Sequence, residues 1–379
     1  MTGGWIQMIC HGWLVYELTD SRFLLGLVGF IGAAPLFGLT PFGGAIADRY
    51  NKKNILLLTQ TLFGISALCL GILVGLNIVN IYHIIVIAIF NGLLMAVDAP
   101  TRQSIPIHLV GKKDLPNAIA FNSAAFNTAR ILGPALAGFL VIQLSMAWCF
   151  YANAASYLAV ILALIAVRAN TDPAPNDGSA TVLTDVINGF RYIQSEPRIR
   201  MLILMAAVPS VFVMPYGIYV LIIAKDILNV GVEGYGRIMS ATGIGALTGA
   251  LTLARCARLQ KRGTILLTVA LIDCIVLILA AYSKSFLLTQ IFMIGVGFCT
   301  VMYNATSNTL LQSISSDEYR GRVMSGFVFV MMGLSPFASL QAGAVAQVFG
   351  APAAMSIGAV LFGTMALYVA LTQRRIREL

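Results

Sequence analysis

Residues Leu24–Ala47 read LLGLVGFIGAAPLFGLTPFGGAIA, and the polar run Asp48-Arg49-Tyr-Asn-Lys52-Lys53 follows them directly. An apolar helix of this length crosses the hydrocarbon core of a bilayer, about 30 Å thick, which takes roughly 20 residues. Similar apolar runs recur along the chain, for example at Ile55–Val79 and Ile265–Tyr282. These runs are continuously apolar and do not alternate with a period of two, as transmembrane strands do. The pattern predicts an all-α polytopic membrane protein.

The composition agrees with this class and excludes several others. Of the 379 residues, 59% are hydrophobic and 10% are charged, whereas soluble domains carry about 25% charged residues. The net charge of +9 comes from short basic clusters between apolar runs, where the positive-inside rule accounts for them, so we expect no nucleic-acid partner. The six cysteines are scattered without metal-ligand spacing, so we expect no metal and no cofactor. No phosphate-binding G-x-x-x-x-G-K-[ST] loop or nucleophile elbow occurs, so we expect neither direct use of ATP nor an enzyme.

Charges and turn residues divide the apolar sequence into twelve predicted spans, numbered here in chain order. The predicted bounds are 1–17, 23–47, 54–77, 81–99, 115–142, 146–167, 199–224, 235–254, 264–282, 286–312, 322–348 and 353–372. Span 1 has only thirteen apolar-rich residues, from Trp5 to Glu17, which is less than a bilayer requires. We therefore expect the first helix to be incomplete at its N-terminal end.

The distribution of basic residues predicts the orientation of the chain. Eighteen of the 24 Lys and Arg residues lie in the even-numbered connections and the C-terminal tail, whereas four lie in the odd-numbered connections. Because basic loops stay on the cytoplasmic side, we expect both termini to be cytoplasmic.

A polar stretch around residue 180 separates two halves that resemble each other. We predict an N-terminal bundle of six helices over residues 1–168, a cytoplasmic linker with an amphipathic segment over 169–198, and a C-terminal bundle of six helices over 199–379. The segment Asp98–Arg102 matches Asn304–Asn308, with an offset of 206 residues. Internal duplication of this kind is typical of secondary transporters.

The motif Gly44-Ala-Ile-Ala-Asp48-Arg49-Tyr-Asn-Lys52-Lys53 resembles the G-x-x-x-D-R-x-x-R/K-R/K signature of the major facilitator superfamily. The segments at Trp13–Thr19, Asp98–Gln103 and Phe126–Gly138 further resemble the bacterial branch that contains enterobactin-exporter-like and macrolide-efflux-like proteins. The resemblance implies two six-helix bundles that rock around a central cavity in the bacterial inner membrane.

The residues of the 44–53 motif suggest a cytoplasmic gate. Gly44 would permit close helix approach, Asp48 would pair with a cation or a helix N-terminus, and Arg49, Lys52 and Lys53 would stay at the cytoplasmic interface. The alternative is a basic loop that only sets topology, which leaves Asp48 unexplained.

Asp98 and Arg102 are four residues apart on one helical face. In relatives, an arginine in this region joins the charge network of the gate motif, so the resemblance implies contact among Asp48, Asp98 and Arg102. The alternative is a simple ion pair at the interface.

Arg130 lies about fifteen residues into span 5, roughly 22 Å along a helix, and shares a stripe with Asn127. A cation at that depth must face protein, water or an anion. We predict that Arg130 and Asn127 bind substrate or couple transport, and the alternative is a structural tie to backbone carbonyls. On span 10, Tyr303, Asn304 and Asn308 form a polar face that we expect to line the cavity, because lipid would penalise it.

Two further features concern packing and proton coupling. Gly133, Pro134 and Gly138 resemble the fifth-helix packing motif of antiporters in the superfamily, with one glycine displaced. Asp273 lies near the middle of span 9 and could carry a proton, but a structural hydrogen bond is the interpretation that we favour, because the resemblance implies that ninth helices are peripheral.

Together these features predict a secondary active transporter, an antiporter that exports an amphipathic drug or siderophore in exchange for protons. We expect a monomer whose partners are the substrate, protons and the bilayer. The alternatives are an uptake transporter of the same fold and a membrane scaffold or sensor that does not transport.

Overall fold

The computed structural model describes residues 1–166, 191–255 and 261–377, without the side chains at positions 40, 41, 48, 107, 108, 112, 116 and 375. All regular structure in this part of the chain is helical. Ten of its helices are long and apolar enough to cross a membrane. The predicted all-α architecture is therefore confirmed. Most of the predicted linker, residues 169–190, lies outside the described residues.

The helices of the first half follow the predicted spans closely. They are Thr2–Thr19, Arg22–Arg49, Lys52–Gly75, Ile81–Gln143 and Met146–Ala166. Ile81–Gln143 contains spans 4 and 5, because its backbone leaves the helical conformation at Gly111, where φ is 71°. Glycine adopts this left-handed conformation without the steric cost of a Cβ atom. Two apolar segments, Ile81–Pro106 and Lys113–Gln143, lie on either side of this break.

Two spans of the second half are interrupted. Span 7 consists of Pro197–Phe212 and Tyr216–Asp226, and span 11 consists of Arg320–Val328, a π-helix at Phe329–Gly333, and Ser335–Phe349. Prolines at 209 and 215 lie at the first interruption and Pro336 follows the second, and proline removes a backbone donor from the helical ladder. The remaining helices are Val232–Arg255, Arg262–Tyr282, Phe286–Ile314, Ala351–Thr372 and the short Arg374–Arg377.

Polar side chains begin several of these helices at the expected places. The side chains of Ser21, Asn51 and Ser285 accept hydrogen bonds from the backbone N–H groups of Leu24, Asn54 and Leu288, at 3.2, 3.2 and 3.5 Å. Such caps satisfy donors that have no partner in the first turn of a helix.

The chain forms two compact units. The first comprises Met1–Asp177 and Val230–Ser240, and the second comprises Gly178–Asn229 and Ala241–Leu379. Residues Val230–Ser240 include the start of span 8, so the beginning of this helix packs with the first unit.

Glycines bring spans 2 and 4 of the first unit into close contact. A Cβ atom at Gly43 would overlap the backbone carbonyl of Ala96, and one at Gly92 would overlap the carbonyl oxygen of Gly32. The sequence analysis assigned close approach to Gly44, and this was wrong, because a Cβ at Gly44 would meet nothing within 4 Å. Adjacent residues of a helix are about 100° apart around its axis, so only one of the two glycines can face span 4.

The second unit uses the same device between spans 8 and 10. A Cβ at Gly245 would overlap the carbonyl oxygen of Ile294, and one at Gly297 would overlap that of Thr242. Small residues allow membrane helices to approach closely, which increases the van der Waals attraction that holds them together.

We predict that Gly43→Ala destabilises the protein and that Gly44→Ala does not. The new methyl group at position 43 must displace the backbone of Ala96, and overpacking of this kind costs about 1–3 kcal/mol. Thermal unfolding of the purified variants in detergent measures the difference. Equal unfolding temperatures for the two variants would contradict the close contact at Gly43.

Candidate functional site

The basic residues of the 44–53 motif occupy different environments. Arg49 is exposed, and Lys53 donates from Nζ to the carbonyl oxygen of Ile165 at 3.1 Å. Lys53 thus binds a carbonyl in the last described turn of the span 6 helix. Lys52 was expected at the interface, but its side chain is buried, with an exposed fraction of 6%. The Asp48 side chain lies outside the described residues, so its predicted contacts stay a prediction.

Asp98 is the centre of a buried hydrogen-bond cluster that joins spans 3 and 4. Its exposed fraction is 2%. Thr59 Oγ1 and Gln60 Nε2 each donate to Asp98 Oδ1 at 2.7 Å. Arg102 donates to Oδ2 from Nε at 3.0 Å and from Nη2 at 2.8 Å. Both carboxylate oxygens are therefore satisfied, and the charge is paired, which is what a buried ionised group requires.

The sequence analysis identified Asp98 and Arg102 but missed Thr59 and Gln60. A signal existed, because a Thr and a Gln next to each other in an otherwise apolar span need polar partners. A second polar contact between the same spans joins Ser66 Oγ to Asn91 Oδ1 at 2.9 Å.

Span 5 changes character along its length. Its first half, from position 117 to 128, is mostly exposed and carries polar residues such as Ser123 and Asn127. Asn127 is half-buried and donates from Nδ2 to the carbonyl oxygen of Ser123 at 2.9 Å. Arg130 is also half-buried and lies where the exposed half ends. Because lipid penalises polar side chains, this polar face is a candidate wall of an aqueous cavity.

The other half of span 5 is tightly packed within the first unit. A Cβ at Gly133 would overlap the Trp5 side chain, one at Gly138 would lie 2.7 Å from Glu233 Cα, and one at Gly236 would overlap the carbonyl oxygen of Pro134. Ser240 Oγ donates to the carbonyl oxygen of Ile131 at 2.8 Å. The helix-five motif therefore accommodates span 1 and the start of span 8.

The predicted polar face of span 10 is only partly as expected. Tyr303 was expected to line the cavity, but it is 3% exposed. Its hydroxyl donates to the carbonyl oxygen of Met205 at 2.7 Å, and its ring meets that of Phe362 edge-on with centroids 5.0 Å apart. Tyr303 thus joins spans 7, 10 and 12. Asn304 and Asn308 are half-buried, and Asn308 Oδ1 accepts from Gln312 Nε2.

A stacked pair of tyrosines in the second unit was not predicted. The rings of Tyr192 and Tyr319 lie 4.3 Å apart with 12° between their planes. Tyr192 Oη lies 3.2 Å from Ser316 Oγ, and the Arg322 guanidinium is 5.1 Å from the Tyr319 ring centre. Ile193 is buried beside them. The residues just before span 7 are therefore anchored on the connection between spans 10 and 11.

Metal chemistry has no candidate site in the part of the chain that the structure describes, since no group of three His, Cys, Asp or Glu residues there could hold an ion.

The helical spans, the charged 44–53 motif and the buried polar clusters define a membrane transporter of the major facilitator class. The chain matches the family model described as transmembrane secretion effector (MFS_3) over residues 1–378, and it belongs to that family. It is a multi-pass membrane transporter and not an enzyme.

Relatives with transport functions align over nearly the whole chain. The chain is 26% identical to the staphyloferrin A transporter of Staphylococcus aureus over 94% of its own length and 89% of that protein. It is 24% identical to the multidrug efflux pump Tap of Mycolicibacterium fortuitum, covering 100% and 93% of the two chains. It is also 24% identical to the enterobactin exporter EntS of Escherichia coli, covering 96% and 87%.

Solved structures show the same fold. A bacterial homologue of the human lysosomal transporter Spinster, in an inward-facing and unoccupied conformation, superimposes with a TM-score of 0.73. The sequences are 16% identical, and the match covers 99% of this chain and 94% of the other.

We predict that Asp98→Asn destabilises the protein by about 1–3 kcal/mol, because the amide cannot accept every bond that the buried carboxylate accepts. Asp317→Asn is the matched control. Asp317 also pairs with an arginine, Arg320, at 2.6 Å, but its side chain is 91% exposed, and exposed pairs contribute at most about 1 kcal/mol. Thermal unfolding in detergent compares the two, and a larger loss for Asp317→Asn would be the opposite of this expectation.

Proposed function

We propose that the protein exports an amphipathic small molecule of the drug or siderophore type in exchange for protons, by alternating access. Relatives named as an enterobactin exporter and a multidrug efflux pump support export. The observation that carries the proposal is Arg130, which is half-buried at the end of an exposed polar face inside an apolar span.

The chemistry of this face favours a particular substrate class. A cation within the membrane is stabilised by an anion, and an amphipathic anion would also use the apolar side chains nearby. Asn127, three residues before Arg130 on the same span, would supply a hydrogen bond that fixes the orientation of the bound compound. We therefore propose an amphipathic compound with an anionic group.

The proposed setting is the bacterial inner membrane, with both termini in the cytoplasm. Three bacterial relatives and the basic even-numbered connections support this placement. Under this orientation, the Asp98 cluster and the 44–53 motif lie at the cytoplasmic ends of spans 2, 3 and 4.

We expect Arg130→Ala to abolish transport, because the cation that binds the substrate is removed, while Arg130→Lys retains part of it. Everted membrane vesicles with an imposed proton gradient are exposed to a panel of antibiotics and siderophores, and dissipation of the gradient by each compound is measured. Lys284→Ala is the control, because Lys284 lies in a connection outside the membrane. Export predicts dissipation that Arg130→Ala loses and Lys284→Ala keeps.

Other results of this experiment would contradict parts of the proposal. Unchanged dissipation in Arg130→Ala would remove Arg130 from substrate binding. Compound accumulation in cells instead of extrusion would show uptake. No response from an inserted protein to any compound, with or without a gradient, would favour the scaffold or sensor.

We also predict that Asp48→Asn shifts the resting population away from the outward-open state, since a neutral side chain stabilises the gate less. Single cysteines introduced near either mouth are labelled with a membrane-impermeant thiol reagent, and Tyr50→Phe, which changes the same motif without altering its charge, is the matched control. The same labelling rates in Asp48→Asn and in the control would exclude a gating role for Asp48.

A further inference from the structure

The second unit contains a buried carboxyl group that differs from Asp98 in every contact. Asp273 is 3% exposed, in the middle of the helix Arg262–Tyr282. Its Oδ1 atom is fully buried and has no hydrogen-bond partner among the described residues. The sequence analysis favoured a structural hydrogen bond for Asp273, and the structure contains none to Oδ1.

Spans 10 and 12 pack against span 9 near the level of Asp273. A Cβ at Gly295 on span 10 would lie 2.9 Å from Val276 Cγ1, and one at Gly363 on span 12 would lie 3.2 Å from Cys274 Sγ. Spans 9 and 10 run antiparallel, because only residues 283–285 connect them. Since Gly295 lies beside Val276, one helical turn from Val276 to Asp273 on span 9 corresponds to one turn from Gly295 to Cys299 on span 10. Cys299 therefore lies at about the level of Asp273.

Among the described residues, the helices that pack against span 9 place no charged side chain at the level of Asp273. The ionisable groups facing this level are the thiols of Cys274 and Cys299 and the phenol of Tyr303. Spans 10 and 12 contain no Lys, Arg, Asp or Glu, and the other charged residue of span 9 is Arg262 at its cytoplasmic end. The C-terminal helix, Arg374–Arg377, which packs beside span 9, contacts it at Gly263, ten residues from Asp273.

Burying an unpaired carboxylate is strongly unfavourable, and burying the protonated acid is much less so. The neutral form is therefore the one that fits this conformation. The ionised form would need water or new donors, and Thr300 Oγ1 on span 10 is a buried hydroxyl without a hydrogen-bond partner in the described residues.

We propose that Asp273 is a proton-binding site of the second unit, protonated when the unit is packed as here and deprotonated when water reaches span 9. On release, the O–H bond of the carboxyl breaks, the proton passes to water, and the carboxylate remains. On rebinding, water on the other side of the membrane supplies the proton. The role of Asp273 in coupling rests on the proposed proton-driven export. Its protonation is independent of that proposal.

Infrared spectroscopy of the purified protein in lipid nanodiscs tests this site without any transported compound. The C=O stretch of a protonated carboxyl is distinct from the bands of a carboxylate and shifts in heavy water. We expect the wild-type protein to show this band near neutral pH and to lose it at alkaline pH. Asp273→Asn should lack the band, whereas Asp98→Asn, the other buried aspartate, should keep it, because Asp98 is bound by Arg102 and two further donors.

Two further variants separate a proton site from a packing role. Asp273→Glu should restore a titrating band. Asp273→Leu should lack the band and still fold, because a carboxyl that only carries a proton is not needed for packing. No band in the wild-type protein at any pH, or the same band in Asp273→Asn, would overturn the proposal.

A transport measurement separates proton binding at Asp273 from its role in coupling. Asp273→Asn should lose gradient-driven export and keep exchange of labelled for unlabelled compound. Gradient-driven export by Asp273→Asn would show that another group couples transport to protons. A titrating band in a protein that does not transport would support the proton site and contradict the proposed function.

Discussion

The hydrocarbon of the bilayer offers no hydrogen bonds, and this constraint governs how the chain can fold. Every backbone N–H and C=O group must find its partner within the chain, so the spans are helices. Lipid solvates apolar side chains about as favourably as a protein interior does. Burial of apolar side chains alone therefore does not bring these helices together. Their association depends on contacts that lipid cannot replace. The structure supplies two kinds, the backbone approaches at Gly43 and Gly297 and the buried polar bonds of Asp98.

The two buried aspartates meet this constraint differently, because their carboxyl groups have different hydrogen-bond partners. Asp98 is surrounded by donors from two spans and is held as part of the architecture of the first unit. Asp273 has an equally buried carboxyl and an Oδ1 without a described partner. The first unit therefore surrounds its buried carboxyl with donors, whereas the second unit leaves one carboxyl oxygen without a described donor.

The positions of the helices could be predicted from the sequence because hydropathy adds up over a whole span and does not depend on distant partners. The pairing of Asp98 with Arg102 could be predicted for a similar reason, since residues four apart meet on any helix. The rotation of a helix about its axis was harder. Gly43 rather than Gly44 faces span 4, and Tyr303 points into its own bundle. One residue of error in phase turns a side chain by about 100°, and weakly amphipathic spans contain little information that would fix it.

Contacts between distant segments were not predictable at all. Thr59 and Gln60 needed a partner, but the sequence does not say which of several polar residues it is. The π-helix at Phe329–Gly333 has no simple signature in the sequence that would distinguish it from an ordinary turn of α-helix.

The anchoring of Tyr192 and Ile193 determines where the chain could be divided. These residues precede span 7 and are fixed by the stacked Tyr319 and the connection that carries it. A gene split upstream of Tyr192 would leave the anchoring residues on the second polypeptide, together with the helices that hold them. A split downstream of Ile193 would leave them at the C-terminal end of the first polypeptide, where they would bind the second. The choice of cut would thus decide whether this contact lies within the second polypeptide or between the two separately made halves.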